Sequence, residues 1–448
     1  MRMLLLVAWR NLRQGGRRTL LLGLALAMVT GLLVFLLALS RGVNVSMTRA
    51  ATTLSSGHVN VAGFYKATPD DVAPLIQGVD ALRRIATENT EGLVRVLDRH
   101  RGWCKVISET SSMWVGLHGI EVSEEDALFE QLTMAAPATY VKDDPAKARP
   151  SEPRRLSEPG TIMLFRSQAD RLGVQVGDQV TLRTETLRGQ SNTADLTVVA
   201  VADDLGLMST WAAFVPKDAV RSLYGLKADT SGAVYLYLDD IDRAPAVMAH
   251  LREVLTEAGY TVMDHDPQPF FMKFETVMGQ DWTGQKLDLT IWRDEVSFLT
   301  WVLTAIDSVS FLLTGILAVL IAIGIMNALY IAVRERTGEV GTLRAIGMGR
   351  RRVLALFVIE AMLLGLVATS IGAALSATVA LIIDAVGVPL PWTAARAIFM
   401  NDHLSLVVAP AHLIGAVAAF TIITGFSAFW PALRAARLPP ITAIHQTE

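Results

Sequence analysis

The chain has 448 residues, of which 40 are Lys or Arg and 43 are Asp or Glu, giving a formal charge of −3. Apolar residues make up 52% and charged residues 19%, with a mean hydropathy of +0.39. Soluble domains run nearer a quarter charged, so part of this chain belongs in a lipid bilayer. A single Cys excludes a disulfide framework and a Cys-based zinc site, and the near-neutral total argues against nucleic acid as a partner.

Residues 1–19 carry Arg2, Arg10, Arg13, Arg17 and Arg18 and no acid. The first predicted span is 20–40, because 20–39 holds no charge. That stretch is long enough to cross a core of about 30 Å at about 1.5 Å per residue. Signal-peptide apolar regions run only about 7–15 residues, so a retained anchor is expected.

Residues 41–297 are expected to form an α+β domain outside the membrane, with acids outnumbering bases. Residues 162–165, 196–201 and 233–238 read as strands, and 169–172 as a helical turn. Gly177-Asp178 makes a turn inside the strand-like run 174–182. Residues 244–258 read as an amphipathic helix with Val247, Leu251, Val254 and Leu255 on one face. Pro145, Pro150, Pro153 and Pro159 mark a loop or subdomain boundary. No catalytic or metal constellation stands out: His58, His100, His118, His250 and His265 lack an HExxH spacing. Cys104, beside Trp103, reads as a buried small hydrophobe.

Three more spans are predicted at 298–333, 353–383 and 409–430, separated by the loops 334–352 and 384–408 and followed by the tail 431–448. Arginines cluster at the N-terminus, in 334–352 and in the tail. The positive-inside rule therefore places these segments and both termini in the cytoplasm. No proline falls between Pro269 and Pro389. A helix from near Ile291 could then run unbroken to Val333, about 64 Å, as a stiff lever, the alternative being a break near Thr300. Gly23, Ala27 and Gly31 recur at four-residue spacing, as do Ala368, Gly372, Ser376 and Ala380, and Ala411, Gly415 and Ala419. Such stripes let helices approach closely, within one chain or between two. Asn327, Glu360 and Asp307 are the polar residues inside or near the spans. Glu360 is expected to snorkel to the interface or pair with an Arg.

The strongest local signal is 323–347, reading I-G-I-M-N-A-L-Y-I-A-V-R-E-R-T-G-E-V-G-T-L-R-A-I-G. It resembles the signature of the MacB/FtsX family of ABC transporter permeases, which includes the lipoprotein-releasing Lol permeases. The likeness continues through Arg350-Arg351-Arg352-Val353 and Val358-Ile359-Glu360-Ala361. It also takes in the closing run 430–444 and the N-terminal Arg10-Asn11-Leu12. Ser56-Gly57-His58-Val59-Asn60-Val61 resembles the segment after the first span of lipoprotein-releasing permeases.

The resemblance implies four membrane helices with a large domain between the first two, in the inner (cytoplasmic) membrane. It also implies a coupling helix that docks into an ATPase dimer, and Glu335, Arg336, Glu339, Val340, Leu343, Arg344 and Ile346 are the expected coupling residues. A second permease chain, and a periplasmic carrier or adaptor, are the other implied partners. No G-x-x-x-x-G-K-[ST] loop and no Gly-Lys pair occurs in the sequence. A separate subunit is therefore expected to bind ATP and Mg, with no cofactor and no metal on this chain. The expected work is lipoprotein release driven through the lever. Export of drugs, peptides or toxins, and regulation of a cell-wall hydrolase or sensor kinase, are the alternatives.

Overall fold

The structure is a computed structural model that describes residues 2–14, 16–69, 71–141, 148–186, 189–206, 208–335, 337–392, 395–396, 399, 401 and 403–437. Its packing forms two units. One comprises Met1–Asn44, Val302–Val388 and Leu404–Glu448, and the other Val45–Trp301 and Pro389–His403.

In chain order the elements begin with α1 (Arg2–Gln14), α2 (Gly16–Leu54), β1 (Val59–Lys66), β2 (Ile76–Gln77), α3 (Val79–Glu88), β3 (Leu93–Ile107) and β4 (Ser112–Ile120). They continue through α4 (Asp126–Gln131), β5 (Thr161–Phe165), α5 (Arg166–Leu172), β6 (Gln179–Glu185), β7 (Ser191–Ala202), β8 (Ala212–Pro216) and α6 (Lys217–Tyr224). Next come β9 (Thr230–Ser231), β10 (Ala233–Leu238), α7 (Ala244–Glu257), α8 (Phe274–Met278), β11 (Gly284–Ile291) and α9 (Trp292–Glu295). The last helices are α10 (Thr300–Glu335), α11 (Thr337–Ala345), α12 (Arg350–Val386) and α13 (Pro410–Arg437). Among the described residues, four helical stretches are long and apolar enough to cross a membrane: Thr19–Leu54, Thr304–Glu335, Arg350–Val386 and Pro410–Arg437.

Helix ends differ from the sequence expectation, and α13 runs past residue 430, through Pro431, to Arg437. Helix α2 runs past residue 40 to Leu54, where Val43, Met47, Ala50, Ala51 and Leu54 form a buried stripe. That stripe keeps helical spacing on both sides of the charge at Arg49. Helix α10 starts at Thr300, whereas Ile291 is the last residue of β11. Residues 290–295 spend their polar atoms on a corner that a continuous helix could not make. The Ile291 amide donates to Asp294 Oδ2 at 2.9 Å, Thr290 Oγ1 donates to Glu295 Oε1 at 2.9 Å, and the Trp292 amide donates to the His58 carbonyl at 3.2 Å. The lever is therefore a 36-residue helix, about 54 Å long.

The sheet-rich unit is organised by β3. Its first half, through Arg99, pairs with β10, which continues through β1 to β11 as an antiparallel sheet. From His100 onward the same strand pairs with β4, and the order runs on through β8, β5, β7 and β6. Strand β6 then returns to β3, with Lys105–Ile107 opposite Thr181–Arg183, and closes the ring. Strand alternation divides the cores. In β5, Ile162 and Leu164 join Val106, Val115, Leu182 and Val198 in one core, while Met163 and Phe165 join Phe214 in another. In β10, Val234 and Leu236 pack with Leu251 and Leu255 of α7, and Tyr235 and Tyr237 with Phe64 and Phe270 on the other face. Both faces are covered, which is why these strands read as continuous apolar runs.

The expected strands and the helix at 244–258 fall at β5, β7, β10 and α7. Gly177 takes the left-handed φ of 101° that its turn requires. The Ser56–Val61 segment forms the corner between α2 and β1. There the Gly57 amide donates to Asn60 Oδ1 at 2.7 Å, and Asn60 Nδ2 donates to Thr290 Oγ1 at 3.2 Å. A Cβ on Gly57 would meet the Leu236 backbone at 2.9 Å.

Buried histidines give this unit a pH dependence. Neither ring nitrogen of His100 has a hydrogen-bond partner among the described residues. Burial, then Lys217, holds its pKa down to about 4, and burial holds His118 to about 3. The unfolded chain therefore binds more protons, and the stability present above pH 6.5 is lost as pH falls toward 4, about 3 kcal/mol for His100. Asp288 and Glu295, raised by burial, act in the opposite sense, so the informative quantity is a difference. His100→Leu should lose less stability than the parent between pH 6.5 and 4 in acid-unfolding curves. Parallel curves would contradict this.

Candidate functional site: a short helix between spans and the seam behind it

Helix α11 is set off from α10 by a local cap and from α12 by a glycine turn. Thr337 Oγ1 donates to the Val333 and Arg334 carbonyls at 2.9 and 2.8 Å, and Gly347 takes a φ of 103°. Val340 is only 3% exposed and packs with Val333, Val353, Phe357, Ala432, Ala435 and Ala436. The short helix is thus clamped through Val340 to the ends of α10, α12 and α13. Glu335 and Glu339 are exposed, Arg344 is half-buried and Ile346 is 80% exposed. Arg336 and the Leu343 side chain lie outside the described residues. The expected set therefore divides. Val340 faces its own chain and is not available to a partner, while Glu335, Glu339 and Ile346 lie open.

The intramembrane polar residues do not converge. Asn327 is exposed on α10. Asn11 Nδ2 of α1 donates to Glu360 Oε2 of α12 at 3.2 Å, so two motifs at opposite ends of the sequence meet. Nothing along the chain signals this pairing beyond the presence of both residues. Ser40 Oγ donates to Asp307 Oδ1 at 2.6 Å. The Arg434 guanidinium sits 5.3 Å from the centre of the Tyr330 ring, tying α13 to α10.

Two of the three small-residue stripes meet each other within this chain. A Cβ on Gly23 would touch Leu364 and Ala368, one on Gly31 would reach the Gly372 carbonyl at 3.2 Å, and one on Gly372 would lie 2.1 Å from the Ala27 carbonyl. Ser376 Oγ donates to the Gly31 carbonyl at 2.7 Å. Helices α2 and α12 thus cross with backbone near backbone. The third stripe is not packed: Ala411, Gly415 and Ala419 are exposed, and a Cβ on Gly415 has nothing within 4 Å.

Comparisons with known proteins match parts of this chain. Residues 311–440 match the model of the FtsX-like permease C-terminal domain. A macrolide export ATP-binding/permease protein MacB 2 of Yersinia pestis bv. Antiqua (strain Antiqua) is 29% identical over 208 residues, 46% of this chain and 25% of that one. MacB of Neisseria gonorrhoeae (strain ATCC 700825 / FA 1090) is 37% identical over 124 residues, 28% of this chain and 17% of the relative. The matched part thus spans a quarter or less of these relatives. Among solved structures, the periplasmic region of MacB from Actinobacillus actinomycetemcomitans aligns at 12% identity and a TM-score of 0.29, over 55% of this chain and 94% of that one. The extracellular domain of the transporter YknZ from Gram-positive bacteria aligns at 10% identity and a TM-score of 0.29, over 51% and 98%. Residues 311–440 therefore carry the likeness to FtsX-like permeases, and the chain is similar over part of its length to MacB-type ABC transporter permeases.

Proposed function

We propose that this chain couples ATP hydrolysis on a separate ATPase dimer to work done by its sheet-rich unit outside the membrane, with both termini cytoplasmic. The observation that carries the reading is α11. It is fixed to three membrane helices through Val340 and presents Glu335, Glu339 and Ile346 to the surface. A push on a helix held in this way moves α10, α12 and α13 together, and α10 is long enough to carry the displacement beyond the bilayer core. Charged contacts at a docking rim set orientation and approach, and Glu339 is placed for that role. A second permease chain would complete the pair that an ATPase dimer requires.

For the cargo, the relatives' names favour export of macrolide-like compounds. Lipoprotein release is the second reading, favoured by the resemblance of Ser56–Val61. One preparation tests docking and cargo together: the chain purified with its cognate ATPase. Glu339→Lys should leave the permease inserted but lower the co-purified ATPase about tenfold. Equal complex yield and equal turnover would remove α11 from the coupling role. In the intact complex, stimulation of ATP turnover by a macrolide supports export, and stimulation by a triacylated lipopeptide supports release.

A further inference from the structure

Where β3 leaves one set of partners for the other, the sheet-rich unit encloses a cavity of about 340 Å³. Its rim is aromatic and open: Trp103 is 46% exposed, Trp211 43% and Phe271 42%. Phe298 stacks edge-on to Phe271, with ring centres 6.1 Å apart. Half-exposed indole and phenyl rings around a concave apolar surface are what a lipophilic ligand needs and what a solvent-facing wall does not. The volume is about twice that of a roughly 150 Å³ void able to admit benzene, and it lies at the small end of the range for ligand pockets. It fits one compact lipophilic group and not a large macrocycle.

The polar atoms in the wall define the rest of the ligand. Arg101 donates through Nε to the Tyr235 hydroxyl at 2.7 Å and through Nη2 to the Ser55 carbonyl at 3.5 Å. Its guanidinium lies over the Tyr235 and Phe270 rings, 5.1 and 4.8 Å from their centres, and Nη1 makes no hydrogen bond among the described residues. Glu295, also in the wall, already accepts from Thr290 Oγ1 and from the Phe270 amide. Arg101, in the cavity wall, therefore keeps one donor unused, whereas both Glu295 oxygens are engaged. A carboxylate ligand would lie beside Glu295 and an ammonium beside Arg101, each a like-charge pair in a poorly hydrated site. A neutral oxygen acceptor meets neither penalty. We infer that this cavity binds an uncharged lipophilic molecule bearing a carbonyl or ester oxygen, with the oxygen on Arg101 Nη1 and the apolar body among Trp103, Trp211, Phe271 and Phe298. The inference concerns a ligand site on this unit and stands apart from the identity of any transported cargo.

The test is photolabelling of the full chain in lipid nanodiscs with the methyl ester of a diazirine-bearing decanoic acid, followed by peptide mapping. Labelling of the membrane helices serves as the internal reference. Peptides carrying Trp103, Trp211 or Phe271 should be labelled, and excess methyl decanoate should lower that labelling about tenfold. Decanoate and decylamine at the same concentration should not. Gly116→Leu adds a side chain to the cavity wall where only the Trp211 carbonyl approaches a new Cβ, at 3.4 Å. It should lower the labelling about tenfold. If that variant does not fold, Trp103→Ala, at a half-exposed position, should have the same effect. Labelling confined to the membrane helices, labelling unchanged in the folded variant, or equal competition by decanoate or decylamine overturns the proposal.

Discussion

Gly372→Leu should destabilise the membrane helices by at least about 3 kcal/mol, while Gly415→Leu should be neutral. The new Cβ at 372 would lie 2.1 Å from the Ala27 carbonyl oxygen and 2.6 Å from the Ala27 Cα. Those are backbone atoms of a helix and cannot rotate aside, so α2 and α12 must separate. Separation would also break the Ser376–Gly31 bond. Overpacking costs about 1–3 kcal/mol when side chains can yield, and more when they cannot. Thermal denaturation in detergent, read as the recovery of monodisperse protein, checks both variants. A Gly372→Leu protein as stable as the parent would show that the close approach is not what joins these helices.

The second large effect is expected at Arg99. This side chain is 1% exposed and grips Glu125 at two points, 2.5 and 2.8 Å. It also donates to the Thr53 and Leu54 carbonyls, at 3.1 and 3.0 Å, where α2 ends. Those carbonyls lack partners within their own helix, and the guanidinium supplies them. Arg99→Met leaves Glu125 charged, buried and alone, which costs about 3–5 kcal/mol. The double variant Arg99→Met with Glu125→Leu should recover part of the loss, because the stranded charge is gone while the two carbonyls remain unpaired. Equilibrium unfolding followed by tryptophan fluorescence measures both. A single variant no less stable than the double would contradict the buried-charge account.

The membrane spans and the α11 segment were legible in the sequence because apolar length and clustered Arg are local properties. Strands β5, β7 and β10 were legible for the same reason, as short β-branched runs between turns. What stayed hidden depends on partners distant in sequence. The corner at 290–295 needs His58 and Phe270, and nothing near Ile291 predicts a helix stop. The burial of Val340 depends on Val353 and Ala432, so helical spacing alone could not say which face of α11 looks inward. The four-residue stripes were visible, but which would meet, and within or between chains, was not. The pairing of Asn11 with Glu360 is 349 positions apart, beyond any pattern read along the chain.

Strand β1 sits between β10 and β11, with Val59 opposite Leu236 on one side and Ile291 on the other. During synthesis it emerges early, yet both of its edges wait for residues made much later. Until then it is an apolar strand with unpaired backbone groups on both sides, the kind of segment that templates wrong partners. Its closure joins distant sequence and belongs to the slow, high-contact-order part of folding. The β3–β4 hairpin, with its two strands adjacent in the chain, can form beforehand and present the edge that β10 takes. Assembly of this unit therefore has a built-in order, hairpin first and β1 last, and the interval between them is when the nascent chain most needs protection.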